Sequence, residues 1–147
     1  MKIVLYQPQI PQNTGNIVRT CSVTGSQLIL VPPLGFSLND RWLKRAGLDY
    51  WEGVQVDIIE NLELSLEALP ENFYFFSSKA KKKYTEVNFK SDDWLIFGSE
   101  TTGLPPYFQE RWPEKFLNIP MISNARCLNL ATSVGIVLYE ALRQVNF

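Results

Sequence analysis

Trp94-Leu95-Ile96-Phe97-Gly98-Ser99-Glu100-Thr101-Thr102-Gly103-Leu104-Pro105 runs from four consecutive apolar residues straight into a polar loop bounded by glycines and closed by proline. A strand with one wet face alternates apolar and polar residues. An unbroken apolar run is what a strand covered by helices on both faces requires. Runs of the same kind recur along the chain at Ile3–Tyr6, Leu28–Val31, Val54–Ile59, Phe73–Ser77 and Phe116–Ile119. Each reads as a strand of a mostly parallel sheet.

Helix signals fill the intervals. Asn13 is the expected cap of a helix running to about Thr24 and stopped by Gly25, a residue suited to the left-handed turn that ends a helix. Asp40 to Ala46 reads as a short basic helix ended by Gly47. Asn61 to Leu69 is amphipathic and stops at Pro70. Pro105 and Pro106 can open a helix through Trp112, because proline costs little in a first turn. Leu128, Ala131, Val134, Leu138, Ala141 and Leu142 share one stripe at three- and four-residue spacing, which predicts a final helix to about Gln144. Strand and helix alternating without a linker or repeat give an α/β fold, a single domain over residues 1–147.

Composition narrows the chemistry. The chain has 147 residues and no histidine, so Ser-His-Asp and Cys-His catalysis and His-ligated metals are excluded. Its two cysteines, Cys21 and Cys127, form no Cys-x-x-Cys pair, and no metal site is expected. Fourteen Lys and Arg against fifteen Asp and Glu leave a net charge of −1, so nucleic acid could be met only through local patches. Met1–Tyr6 is too short an apolar run for a signal-peptide core, and no stretch approaches a membrane span. A cytoplasmic protein is expected.

Three segments leave strands at the end where open α/β sheets bind ligands. Pro11–Arg19 follows the first strand and puts Asn16 and Arg19 on one helix face; a capped surface helix would look the same. Gly98–Pro105 contains one carboxylate, Glu100, and lacks the Lys-Ser or Lys-Thr of a phosphate-cradling loop; taken alone it could be a structural turn. Ile119-Pro120-Met121 and Arg126-Cys127-Leu128-Asn129-Leu130 precede the last helix, where Asn129 suits a helix start and the leucines suit a core. No Gly-x-Gly-x-x-Gly follows the first strand, so a nicotinamide-binding fold is a poor match.

In their order along the chain, these segments resemble the three motifs of the SPOUT (α/β-knot) methyltransferases. Arg45-Ala46-Gly47-Leu48-Asp49-Tyr50 narrows the resemblance to the TrmL-type branch of tRNA wobble-nucleotide ribose methyltransferases. The resemblance implies a mostly parallel sheet flanked by helices, a C-terminal trefoil knot, and S-adenosyl-L-methionine as methyl donor without a metal. It implies donor contacts at Phe76, Gly98, Ile119, Cys127, Leu128 and Asn129, largely through the backbone. The chain departs from the pattern at Ser99, Thr102 and Cys127, where proline, a basic residue and serine are usual.

Arg19 resembles the family's catalytic arginine, often described as the base that takes the ribose proton. Because arginine stays protonated, with a pKa above ~12, stabilising the developing alkoxide or orienting the neighbouring phosphate is the easier role. Asn16 and Glu100 are supporting catalytic candidates. The partners implied are a tRNA anticodon stem-loop and a second copy of the chain packed on the last helix, with no membrane and no DNA. Arg41, Lys44 and Arg45, and Lys81 and Lys82 within the run Lys79–Lys83, are candidate phosphate contacts. Trp42, Tyr50 and Trp51 could stack on unpaired bases. Two other functions remain compatible: methylation of ribosomal RNA, and a non-catalytic RNA-binding or assembly role on the same fold.

Overall fold

The computed structural model describes residues 1–39, 41, 51–69 and 72–147. Among them seven strands form one sheet: β1 (Lys2–Tyr6), β2 (Gln27–Val31), β3 (Val56–Ile58), β4 (Phe73–Phe76), β5 (Lys82–Lys83), β6 (Trp94–Phe97) and β7 (Phe116–Asn118), in the spatial order β3-β2-β1-β6-β4-β7-β5. Every strand pairing is parallel. The described α-helices are α1 (Pro11–Thr24), α2 (Leu62–Glu67), α3 (Pro106–Arg111) and α4 (Leu130–Gln144).

The unbroken apolar runs are explained by what covers each face. Ile3, Leu5, Leu28, Leu30, Leu95 and Phe97 pack on one side with Ile17, Val18 and Cys21 of α1 and Val134, Val137, Leu138 and Ala141 of α4. Their sequence neighbours Val4, Ile29, Val31, Trp94 and Ile96 pack on the other with Leu62 and Leu66 of α2 and Phe108 of α3. Side chains alternate along each strand, and both faces are dry.

The six strands expected from sequence are present to within a residue or two at most ends. β5 is an addition, two exposed lysines joined to the sheet edge opposite Leu117 and Asn118. Helix α1 ends at Gly25 with φ 65°, as expected, and Asn61, expected as the first residue of a helix, instead caps α2 by accepting from Leu64 N at 3.1 Å. Two expectations fail. Asn13 does not cap α1, whose N-cap is Ile10 without a side-chain bond. Leu128 is not on the α4 stripe; it precedes the helix and is 38% exposed. The helix expected over Asp40–Ala46 falls almost entirely outside the described residues.

Candidate functional site

A parallel sheet delivers every strand's C-terminus to one edge. There the segments after β1, β4, β6 and β7 meet. Glu100, from the loop after β6, reaches back to the start of α1. Its carboxylate accepts hydrogen bonds from Gln9 N at 2.8 Å, Ile10 N at 3.1 Å and Asn13 Nδ2 at 3.2 Å. Asn13 Oδ1 in turn accepts from Asn129 Nδ2 at 2.9 Å, and Asn129 Oδ1 caps α4 by accepting from Thr132 N at 3.2 Å. A carboxylate set among N–H groups at the head of a helix is favourable through both hydrogen bonding and the helix dipole. One chain of polar contacts therefore ties the start of α1 to two loops that lie 87 and 116 residues further along the sequence.

This arrangement redefines Asn13, which is not an exposed cap but a buried residue, 6% exposed, bridging Glu100 and Asn129. Residue type alone could not show it, since asparagine in a first helical turn is ordinary. Glu100 is accordingly a holder of the loops. Asn16 and Arg19 lie elsewhere: both are exposed on α1, as their shared face requires. Arg19 sits six residues beyond Asn13, about 9 Å further along the helix and roughly 120° around it. Asn13 and Arg19 thus point away from each other.

The loop after β6 closes on itself. Gly103 N donates to Ser99 O at 2.9 Å and Ser99 N to Gly103 O at 3.2 Å, with Gly103 at φ 66°. The Ser99 and Thr101 hydroxyls lie 3.1 Å apart. A Cβ on Gly98 would stand 2.4 Å from the Gly103 carbonyl carbon and 2.6 Å from Leu104 N, so only glycine allows the turn to fold back this closely. Phe76 is buried and stacks on Phe97 with ring centroids 4.8 Å apart, flooring this end of the sheet.

After β7 the chain is open. Ile119 packs against the core of the α1 and α4 face, but residues 122–129 are all exposed, Ile122 at 85%. Asn124 adopts φ 67°, and Ala125 N donates to Ile122 O at 3.2 Å. Cys127 is exposed, its Sγ 3.5 Å from Ser78 Oγ in the turn after β4. Cys21, by contrast, is fully enclosed on the buried face of α1, and burial pushes its thiol up to about 12.

The donor set fits S-adenosyl-L-methionine. Main-chain groups of 98–104 and 119–129 offer neutral polar contacts, and Ile119 and the half-exposed Leu128 offer apolar cover for a purine. Among the described residues no three metal-ligating side chains converge, and no helix is long and apolar enough to cross a membrane. A groove of about 310 Å³ lined by Leu66, Phe73, Trp112 and Lys115 lies instead toward the strands' N-terminal ends.

Lys79, Lys81, Lys82 and Lys83 are all exposed, on the turn after β4 and on edge strand β5. Arg41 is exposed as well, whereas Lys44, Arg45, Trp42 and Tyr50 lie outside the described residues, and so does the Arg45–Tyr50 segment. Trp51 packs partly against the core of the α1 and α4 face.

A model of the SpoU rRNA Methylase family matches residues 1–139. The chain is 46% identical over 147 residues to a tRNA (cytidine(34)-2'-O)-methyltransferase of Methylovorus glucosotrophus (strain SIP3-4), covering 99% of this chain and 96% of the relative. It superposes with a TM-score of 0.90 and 44% identity on a solved structure described as giving insight into 2-OH methylation of C/U34 on tRNA, covering 99% and 95% of the two chains. An AdoMet-bound rRNA methyltransferase from Sinorhizobium meliloti superposes at TM-score 0.85 with 26% identity, covering 98% of this chain but 56% of that longer one.

Proposed function

The chain belongs to the SpoU rRNA methylase family, and from that premise we propose that it is an S-adenosyl-L-methionine-dependent tRNA methyltransferase acting on the ribose 2′-oxygen of the wobble nucleotide, a cytidine or modified uridine. The observation that carries this reading is the Glu100–Asn13–Asn129 chain of contacts. It joins the three motif-bearing segments into one site at the ligand-binding edge of the sheet.

Bound there, S-adenosyl-L-methionine would supply an already activated methyl group. The main chain at Phe76, Gly98, Ile119, Cys127, Leu128 and Asn129 holds it, and the loops fix its orientation, which for a reaction between two bound partners is a large part of the rate. The remaining task is to ease proton loss from a ribose hydroxyl, a very weak acid. Arg19 serves as a fixed cation toward the developing alkoxide or the adjacent phosphate. Glu100 and Asn13 position the loops, and Asn16 steadies the helix face that carries Arg19.

Arg19 faces away from Asn13 within one chain, which favours a homodimer in which each site receives the arginine of the second copy. The face of α4 around Gly135 has room for another backbone, since a Cβ there meets nothing within 4 Å, and Tyr139 is 51% exposed. A trefoil knot in the segment after β6 and a cytoplasmic location complete the proposal. Ribosomal RNA is the weaker alternative, because the Sinorhizobium rRNA enzyme is 26% identical to this chain and the Methylovorus tRNA enzyme 46%.

Incubation with methyl-labelled S-adenosyl-L-methionine and total tRNA, followed by nucleoside mapping, tests the reading. Label is expected on the ribose at position 34; label on rRNA fragments alone or on a base overturns it. Arg19→Lys keeps the charge and loses the planar fork. It is expected to lower kcat on the order of 10²–10³-fold while S-adenosylhomocysteine binding persists.

A further inference from the structure

We infer that Asn118 is a positioning residue for RNA capture: it grips the turn after β4 and so holds the row of lysines Lys79–Lys83 beside the donor-binding loops. The inference rests on the reading that the chain methylates RNA.

Asn118 is the last residue of β7 and directly precedes Ile119. Its Nδ2 donates to Ala80 O at 2.7 Å. Its Oδ1 is shut away from solvent with no partner among the described residues, an unfavourable burial that the Nδ2 bond must outweigh. Ala80 is buried and closes the turn by donating from its N to Ser77 O at 3.1 Å, while Ser77 N donates to Leu117 O at 3.0 Å. Lys79 projects from the turn, and beyond the buried Ala80 come Lys81, Lys82 and Lys83.

The strand bearing these lysines cannot hold its own place. β5 has two residues, pairs with β7 alone and exposes both side chains, and so short a ladder is marginal without further anchors. Beyond the strand, Tyr84 and Val87 pack into the α1 and α4 face, and polar anchors hold its two ends. On one side Lys83 N donates to Glu86 Oε2 at 2.7 Å. On the other stands the Asn118–Ala80 bond, and beside it the Ser78–Cys127 contact links the same turn to the connector before α4. Ile119 and Asn118 thus face two ligands from adjacent positions: one toward the methyl donor, the other, through Ala80, toward the phosphate-binding lysines. Lysines on an edge strand also discourage edge-to-edge aggregation, and that role alone would not require their register to be fixed.

The test is steady-state methylation of tRNA by full-length wild type, Asn118→Ala, the double variant Lys81→Gln/Lys82→Gln, and the combination. Loss of one hydrogen bond's worth of positioning predicts a rise in KM for tRNA of about three- to tenfold in Asn118→Ala. The log–log dependence of tRNA affinity on salt becomes shallower, and KM for S-adenosyl-L-methionine does not move. In the lysine-neutralised background Asn118→Ala adds less than it does alone, because two of the lysines it acts through are gone. Additive effects, an unchanged KM for tRNA, or a raised KM for the methyl donor overturns the inference. A wild type that transfers methyl groups to tRNA while Asn118→Ala behaves identically sinks this inference only; a wild type that transfers none sinks the proposed function with it.

Discussion

The loop after β6 and the connector after β7 leave the same edge of the same sheet, yet they are held in opposite ways. Residues 98–104 close on themselves through the paired Ser99 and Gly103 backbone groups, and Glu100 pins them to the head of α1. Residues 122–129 are exposed throughout, tied to the rest by the Cys127–Ser78 contact and by Asn129. The first is a preformed wall whose shape its own chemistry dictates. The second presents apolar side chains and main chain to whatever lies against it. A site for a flexible zwitterionic nucleoside is well served by that division: one rigid side sets the geometry, and one accessible side gains most of the contacts on binding.

Changes in the closed loop should therefore cost stability, and changes in the open one short of Asn129 should cost function alone. Gly98→Ala has the largest expected effect. Its Cβ would press on backbone that no rotamer change can move, and a loss of about 3 kcal/mol should appear in urea unfolding. Glu100→Gln comes next: an amide cannot accept from Gln9 N, Ile10 N and Asn13 Nδ2 together, and about 1–3 kcal/mol should be lost in the same assay.

The cysteines sharpen the contrast at a smaller scale. Iodoacetamide at pH 8 should label Cys127 and spare Cys21, whose buried thiol stays protonated, and S-adenosylhomocysteine should slow labelling at Cys127. Because burial raises the folded-state pKa of Cys21 from 9.0 to about 12, its share of stability is complete below pH 9 and is lost as pH rises from there toward 12. Ile122→Ser is expected to change least, within about 0.5 kcal/mol of wild-type stability, since Ile122 is 85% exposed.

The strands were legible because being covered on both faces forces runs such as Trp94–Phe97 to be apolar without interruption. The end of α1 was legible because Gly25 is a local signal. β5 was not, since Lys82 and Lys83 join the sheet through backbone alone and carry no hydrophobic pattern. Leu128 fitted the spacing of the last helix, but spacing cannot tell the final turn of a helix from the loop before it. At the site, Gly98, Ile119 and Asn129 could be placed at strand exits and a helix start from local rules. The part played by Asn13 could not, because its partners lie 87 and 116 residues away and no periodicity encodes that distance. Glu100 stood out as the lone carboxylate of its loop; that it serves helix α1 is a fact of tertiary structure.

Hydrogen exchange of the backbone amides with and without S-adenosylhomocysteine tests most directly whether the donor lies among these loops. Protection should rise over residues 119–129, change little at Ser99, Thr101 and Gly103, whose amides are already bonded, and remain unaltered in α2. Protection gained instead around Leu66, Trp112 and Lys115, or nowhere, would contradict that placement.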